Sequence, residues 1–429
     1  MPDDARQMAI CAIHRRASRQ NDAIQVPSFS CTAFAPVSAH QPRFPSHANP
    51  NSPAINQLMK PLAIVHTESS LGWGGQEIRI LTEARGMLDR GHRVMLLTPA
   101  EAEIFPAARR LGIPVEAVSI SKKRLGPLFA LRGWLATHGK NFDLINTHSS
   151  TDSWLSAVAC ATLTNMPALV RTRHVSTPIN NHFSTRWLYD SATAHIVTTG
   201  EALRQQLHRD NGYALARMTS VRTGIALDYY QPLDKLAMRA KLGLENRPTI
   251  GILATLRDWK GHEDLLDALV LLRMQFAAFS DWRVVIVGDG PEYSRLVQKT
   301  VARQLEGVVK LVGNQDNVPE WLSAFDIFTL PSYGNEGVPQ GIMQAMACGL
   351  PVVCTSVGAI SEAVQDGQTG IMVATRNPQS VADGLAALMR DETARTRMGA
   401  AGHLFAREQF GVDVMLDKME AVFRQHARL

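Results

Sequence analysis

From Lys60 onward the chain alternates short apolar runs with longer stretches in which apolar residues recur every three or four positions. Runs of the first kind predict buried strands, and stretches of the second kind predict amphipathic helices. LAIVH (Leu62–His66), RVMLLT (Arg93–Thr98), PVEAVSI, DLINTHS, ALVRTRH and AHIVTTG make up a first series of strands. Ile80, Leu81, Ala84 and Leu88 mark the inner face of a helix that should stop near Gly91. A polar stretch from Pro232 to Pro248 then interrupts the pattern, and TIGILATL (Thr249–Leu256) opens a second series. It continues through the strand WRVVIVGDG, the helix PEYSRLVQKTVARQL, the strand VKLVG, the short helix VPEWLSAF and the strand DIFTLPS. A helix should open at Val338-Pro339 and stop at Gly349, followed by the strands of LPVV and TGIMVA, helical segments at Pro378–Arg390 and Glu392–Arg407, and a C-terminal helix. Such alternation predicts an α/β protein with parallel sheets covered on both faces. The expected organisation is two doubly wound domains, 59–230 and 249–410, a linker at 231–248 and a last helix at 411–429, with strand ends of both domains lining a cleft.

Residues 1–58 lack any sustained period and are rich in Ser, Pro, Asn, Gln and His, which predicts disorder. Met59 stands just before the first strand, so the expected native start is there, with a dispensable extension before it. A length of 429 residues suits two cores, and 45% apolar with 19% charged residues is ordinary for a soluble enzyme. The net charge of +5 is unevenly spread: between Lys60 and Asp228 there are 19 Lys and Arg against 13 Asp and Glu. That excess suits an acidic substrate or an anionic membrane surface as well as it suits a merely solvated basic face. Five cysteines without a CxxC pair predict reduced thiols and a cytoplasmic location. No run of 18 apolar residues predicts a membrane span, and the first residues lack the apolar core of a secretory signal.

Four places carry candidate chemistry. Gly72, Gly74 and Gly75 lie between a strand and a helix, where absent side chains let a ligand approach helix amides; their spacing is not that of a nicotinamide site. His174 ends ALVRTRH at a carboxyl edge, placed to hydrogen-bond a sugar or steady developing charge, while Arg173 alternates to the other face. Arg257 and Lys260, three residues apart in a strand-to-helix loop, suit a diphosphate. Glu336 and the amides of Gly337 and Val338, at a helix opening on Pro339, form a second anion-binding element. No DxD sequence occurs, which argues against a bound divalent ion, and no cofactor is expected.

ATLRDWKG, VIVGDGPE and LPSYGNEGVPQGIMQAMACGLPVV in the second half, with GWGGQE and TRH in the first, resemble the retaining glycosyltransferases of family 4. The resemblance implies a GT-B fold of two Rossmann-like domains. It further implies transfer of a sugar from a nucleotide-diphospho-sugar donor to a glycan or lipid-linked acceptor, in bacterial lipopolysaccharide or exopolysaccharide assembly, without nucleic acid. By this resemblance Glu336 contacts the donor sugar, Val318 lies near the base, Gly288 belongs to the strand turn of the donor site, and Gln344 stands where the family carries a ribose-binding Glu. The Arg is usually farther from the Lys than Arg257 is from Lys260. Acceptor choice should lie in the first domain, where Lys122, Lys123 and Arg124 suit a phosphorylated acceptor or an anionic inner leaflet. A nucleotide-sugar epimerase and a non-catalytic nucleotide-sugar binder are the alternatives.

Overall fold

A computed structural model describes residues 60–334 and 336–428; the segment before Lys60, with its expected disorder and start at Met59, lies outside them. The first sheet contains β1 (Ala63–Thr67), β2 (Arg93–Thr98), β3 (Val115–Ala117), β4 (Leu144–Thr147), β5 (Ala168–Arg173), β6 (His195–Thr198) and β7 (Met218–Ser220). Its order is β3-β2-β1-β4-β5-β6-β7, and all neighbours are parallel. The second contains β8 (Thr249–Leu253), β9 (Arg283–Val287), β10 (Val309–Leu311), β11 (Ile327–Leu330), β12 (Val352–Thr355) and β13 (Gly370–Val373), ordered β10-β9-β8-β11-β12-β13 and again parallel. Both sheets reverse winding direction beside their first strand, between β1 and β4 and between β8 and β11. Those switch points open crevices at the carboxyl ends of the strands, so the expected site loops converge there.

Helices on both faces explain why the inner strands read as unbroken apolar runs: all five residues of β1 and all five of β9 are buried. β7 escapes that signature. It is a three-residue edge strand, Met218-Thr219-Ser220, with only Met218 buried.

The polar stretch before β8 is structured. Asp234 caps the helix Lys235–Lys241 by accepting from Ala237 N at 2.7 Å, and Lys235 and Arg239 both pair with Asp326, at 2.6 and 2.5 Å. Asp326 also accepts from Thr249 N at 2.7 Å, which fastens the connector to the edge of the second domain.

The last helix, Val412–His426, returns to the first domain. The chain recrosses beside its earlier crossing, with Ile225 N donating to Phe410 O at 2.7 Å and Val412 N to Ile225 O at 3.2 Å. Met415, Leu416, Met419, Val422 and Phe423 then share a core with Ile64, Ile80, Leu81 and Met87. No helix among the described residues is long and apolar enough to cross a membrane.

Candidate active site

At the carboxyl edge of the first sheet, the loop after β1 is held against the loop after β4 by two acids. Asp152 accepts from Thr67 Oγ1 (2.8 Å), Ser69 Oγ (3.2 Å) and the amides of His148 and Ser149 (both 2.9 Å), capping the helix Ser150–Ala161. Glu68 accepts from Ser70 N, Gln76 Nε2 and Ser149 Oγ at 2.6, 2.5 and 2.6 Å. Burial, reinforced by the Asp152 carboxylate, pushes the Glu68 carboxyl well above its usual range. Gly74 and Gly75 open the helix Gly75–Asp89, and Gly75 O accepts from Gln340 Nε2 at 3.3 Å, so this loop meets the second domain directly.

Three histidines line up from β1 to the cleft. His66 Nδ1 lies 3.0 Å from His148 Nε2, and His148 Nδ1 lies 3.0 Å from His174 Nε2. Burial lowers the basicity of all three, and the cations Arg79 and Arg171 lower that of His174 further. Arg173 turns to the other side, donating to Tyr189 Oη at 3.1 Å and to the Thr177 carbonyl.

In the second domain, Lys260 Nζ donates to both carboxylate oxygens of Glu336, at 2.7 and 2.9 Å, and Ser332 Oγ donates to Oε1 at 2.9 Å. The pair is largely shielded, with side-chain exposures of 18% for Lys260 and 8% for Glu336, which concentrates its field in the cleft. Arg257 is exposed, and its guanidinium lies 5.3 Å from the centre of the Trp259 ring. Cation–π packing thus orients the guanidinium along its own loop.

One expectation needs correction, and two other candidate residues have structural contacts of their own. The helix begins at Gln340 rather than Val338, because Pro339 takes the extended capping position; the expected amides of Gly337 and Val338 precede it, and the first-turn amides are those of Gln340 and Gly341. Gly288, at φ 138°, has a structural reason of its own: a Cβ there would sit 2.0 Å from Ala254 O. Gln344, expected at the ribose, donates through Nε2 to Tyr230 Oη at 3.0 Å.

A cavity of about 180 Å³ joins the domains, lined by His174, Thr199, Gly200, Glu336, Gly337 and Gly358 among others. Gly288, Val318 and Gln344 do not line it. Beside it Glu362, which no sequence signal marks, reaches across from the second domain. Its carboxylate accepts from the amides of Glu201 (2.9 Å) and Ala202 (2.7 Å) at the start of the helix Glu201–Asn211, and pairs with Arg222 at 3.3 Å. An acid at a helix amino end is favoured by the dipole as well as by the two bonds. Glu362→Ala should therefore open the cleft, seen as a larger radius of gyration in small-angle scattering; an unchanged radius would show that other contacts set the closure.

Two parallel Rossmann-like domains meeting at their switch points define the GT-B class of glycosyltransferase folds. HepE of Anabaena, solved in complex with UDP, matches it with a TM-score of 0.75 at 22% identity, over 85% of this chain and 100% of that one. Residues 73–229 match the family model for Glycosyltransferase Family 4 and residues 247–391 that for Glycosyl transferases group 1, so each half is similar to a glycosyltransferase domain. The D-inositol 3-phosphate glycosyltransferase of Xylanimonas cellulosilytica is 27% identical over 82% of this chain and 92% of its own length. Two further relatives are each 29% identical: the N-acetyl-alpha-D-glucosaminyl L-malate synthase of Bacillus anthracis, over 45% of this chain, and the lipopolysaccharide core biosynthesis mannosyltransferase LpsB of Rhizobium meliloti, over 49%. The matched region spans only 50% and 61% of those two proteins.

Proposed function

We propose that this protein transfers a sugar, with retention of anomeric configuration, from a nucleotide-diphospho-sugar to a glycan or lipid-linked acceptor. The observation that carries this reading is the shielded Lys260–Glu336 pair, which joins the loops after β8 and β11 at the second switch point and whose Glu336 lines the same cavity as His174. Breaking a sugar–diphosphate bond leaves positive charge on the sugar and negative charge on the departing oxygen. Lys260, Arg257 and the amides at the start of the helix Gln340–Ala347 would stabilise that oxygen without a metal ion, and Glu336 the sugar. The acceptor hydroxyl attacks from the same face that the diphosphate leaves, and a phosphate oxygen takes its proton. His174 holds the sugar.

Incubation with UDP-, GDP- and ADP-sugars, read first by thermal shift and then by product anomer, tests the reading. A product with the donor's anomeric configuration is expected. Free epimerised donor formed without acceptor would favour the epimerase, and donor binding without turnover the non-catalytic reading.

Gln344→Glu addresses the departure from the family pattern. A carboxylate can keep the Tyr230 contact by accepting from its hydroxyl, while offering charge to a ribose. Donor KM should fall about fivefold, the margin of a charged over a neutral hydrogen bond. A rise in KM would mean that Gln344 serves the native donor better.

Assembly of envelope polysaccharide at the cytoplasmic face of the membrane is the setting we favour, supported by the likeness to LpsB and by one surface. Lys122, Lys123 and Arg124 precede a helix, Leu125–His138, on which Leu125 is 71% and Phe129 64% exposed. Basic residues beside exposed apolar ones suit an anionic leaflet.

A further inference from the structure

His66, His148 and His174 come from β1 and from the loops after β4 and β5, which are neighbours in the sheet. Their contacts run nitrogen to nitrogen, and the His66 and His148 rings are nearly coplanar, 11° apart, as an in-plane N–H···N bond requires. Among the described residues no carboxylate bonds to any of the three rings, and Arg79 and Arg171 oppose an added positive charge. Each neutral ring then has one N–H and one lone pair, so the two bonds must point the same way along the row.

The closed end decides which way. Among the described residues His66 Nε2 is buried without a hydrogen-bond partner, and Phe423, edge-on with its ring centre 6.4 Å away, is too distant for a close N–H···π contact. An orphaned buried N–H is rarer than an orphaned acceptor. The proton therefore belongs on His66 Nδ1, which donates to His148 Nε2; His148 Nδ1 in turn donates to His174 Nε2. His174 is left with its remaining proton on Nδ1, the ring nitrogen still free for a ligand in the cleft.

We infer that His148 and His66 are positioning residues that fix His174 as its Nδ1–H tautomer, making it a hydrogen-bond donor to the substrate and barring it from service as a base. Because the row ends in a buried nitrogen, it has no outlet to solvent and acts as an orientation lock, not as a proton channel. This rests on the proposed role of His174 in sugar transfer, but its test does not.

The experiment is a long-range 15N–1H correlation spectrum of the whole protein with 15N-labelled imidazoles, the three histidines being assigned by single substitution. In the wild type, His174 should show a protonated Nδ1 and an unprotonated Nε2 at neutral pH. In His148→Ala the His174 signals should move to the Nε2–H pattern that prevails in water. His66→Phe keeps a ring at the closed end but removes the donor, and should move them the same way. Transfer should show a kcat about fivefold lower in both variants, the worth of one misdirected hydrogen bond, with donor KM little changed. A wild-type His174 already protonated on Nε2, or a tautomer indifferent to both substitutions, would overturn the inference. A protonated Nδ1 in a protein that transfers no sugar would overturn the functional reading alone.

Discussion

Lys260→Ala should lower kcat by roughly 100- to 1,000-fold, the effect of removing one preorganised charge worth about 2.7–4 kcal/mol to a developing oxyanion. The geometry makes the loss twofold. The ammonium that would face the diphosphate disappears, and Glu336 keeps only the Ser332 hydroxyl as a side-chain donor in a site where its carboxylate is 8% exposed. That uncompensated negative charge would then repel the diphosphate of a donor bound beside it. The two causes separate in the double variant Lys260→Ala with Glu336→Gln. Where Lys260 supplies charge to the leaving group, the double variant stays within tenfold of the single one. If it regains near-wild-type turnover, Lys260 serves only to neutralise Glu336 and its catalytic role is gone.

The second large effect is on stability and lies one residue further on. Gly261 has φ 75°, and a Cβ built on it would lie 1.9 Å from Pro331 O, a backbone atom that cannot swing aside. Gly261→Ala must bear the left-handed conformation, about 1–2 kcal/mol, and a displaced β11 loop, about 1–3 kcal/mol by analogy with overpacking. A loss of about 3 kcal/mol is expected, lowering the thermal midpoint by roughly 6–12 °C in a domain of this size. An unchanged midpoint would show that the Lys260 and Ser332 loops move apart freely, in which case the fixed geometry of the Lys260–Glu336 pair would not be built in.

Both variants lie in loops whose position could be read from the sequence, and the reason is local. An apolar run such as VVIV can be buried only as a strand covered on both faces, and strands alternating with helices leave little choice but a parallel sheet. RVMLLT and Pro378–Arg390 accordingly begin and end where expected. Local signals failed where a residue had two structural uses. Pro339 suits a first helical turn and also a cap, and the backbone took the second, moving the helix start by two residues. Partners distant in the chain were not legible at all. His66, His148 and His174 are brought together only by the strand order, and Glu362 meets Ala202 from 160 residues away. The Trp259 ring that packs against Arg257 was likewise not legible, because a spacing of three residues to Lys260 says nothing of which way the guanidinium turns.

The return of the last helix to the first domain sets an order on synthesis. The ribosome makes β1 through β7 before it makes the Phe423, Met419 and Leu416 side chains that complete their core. Throughout translation of the second domain, Ile64, Ile80 and Leu81 lack that cover, so an apolar groove stays open on the nascent chain. The second domain, whose strands and helices up to Gln409 are contiguous, can finish first, and the domain made earlier closes last. Emergence of the helix Val412–His426 from the ribosome thus becomes the event that seals the first domain, and a chain stalled near residue 411 would present that domain to chaperones with the groove unfilled.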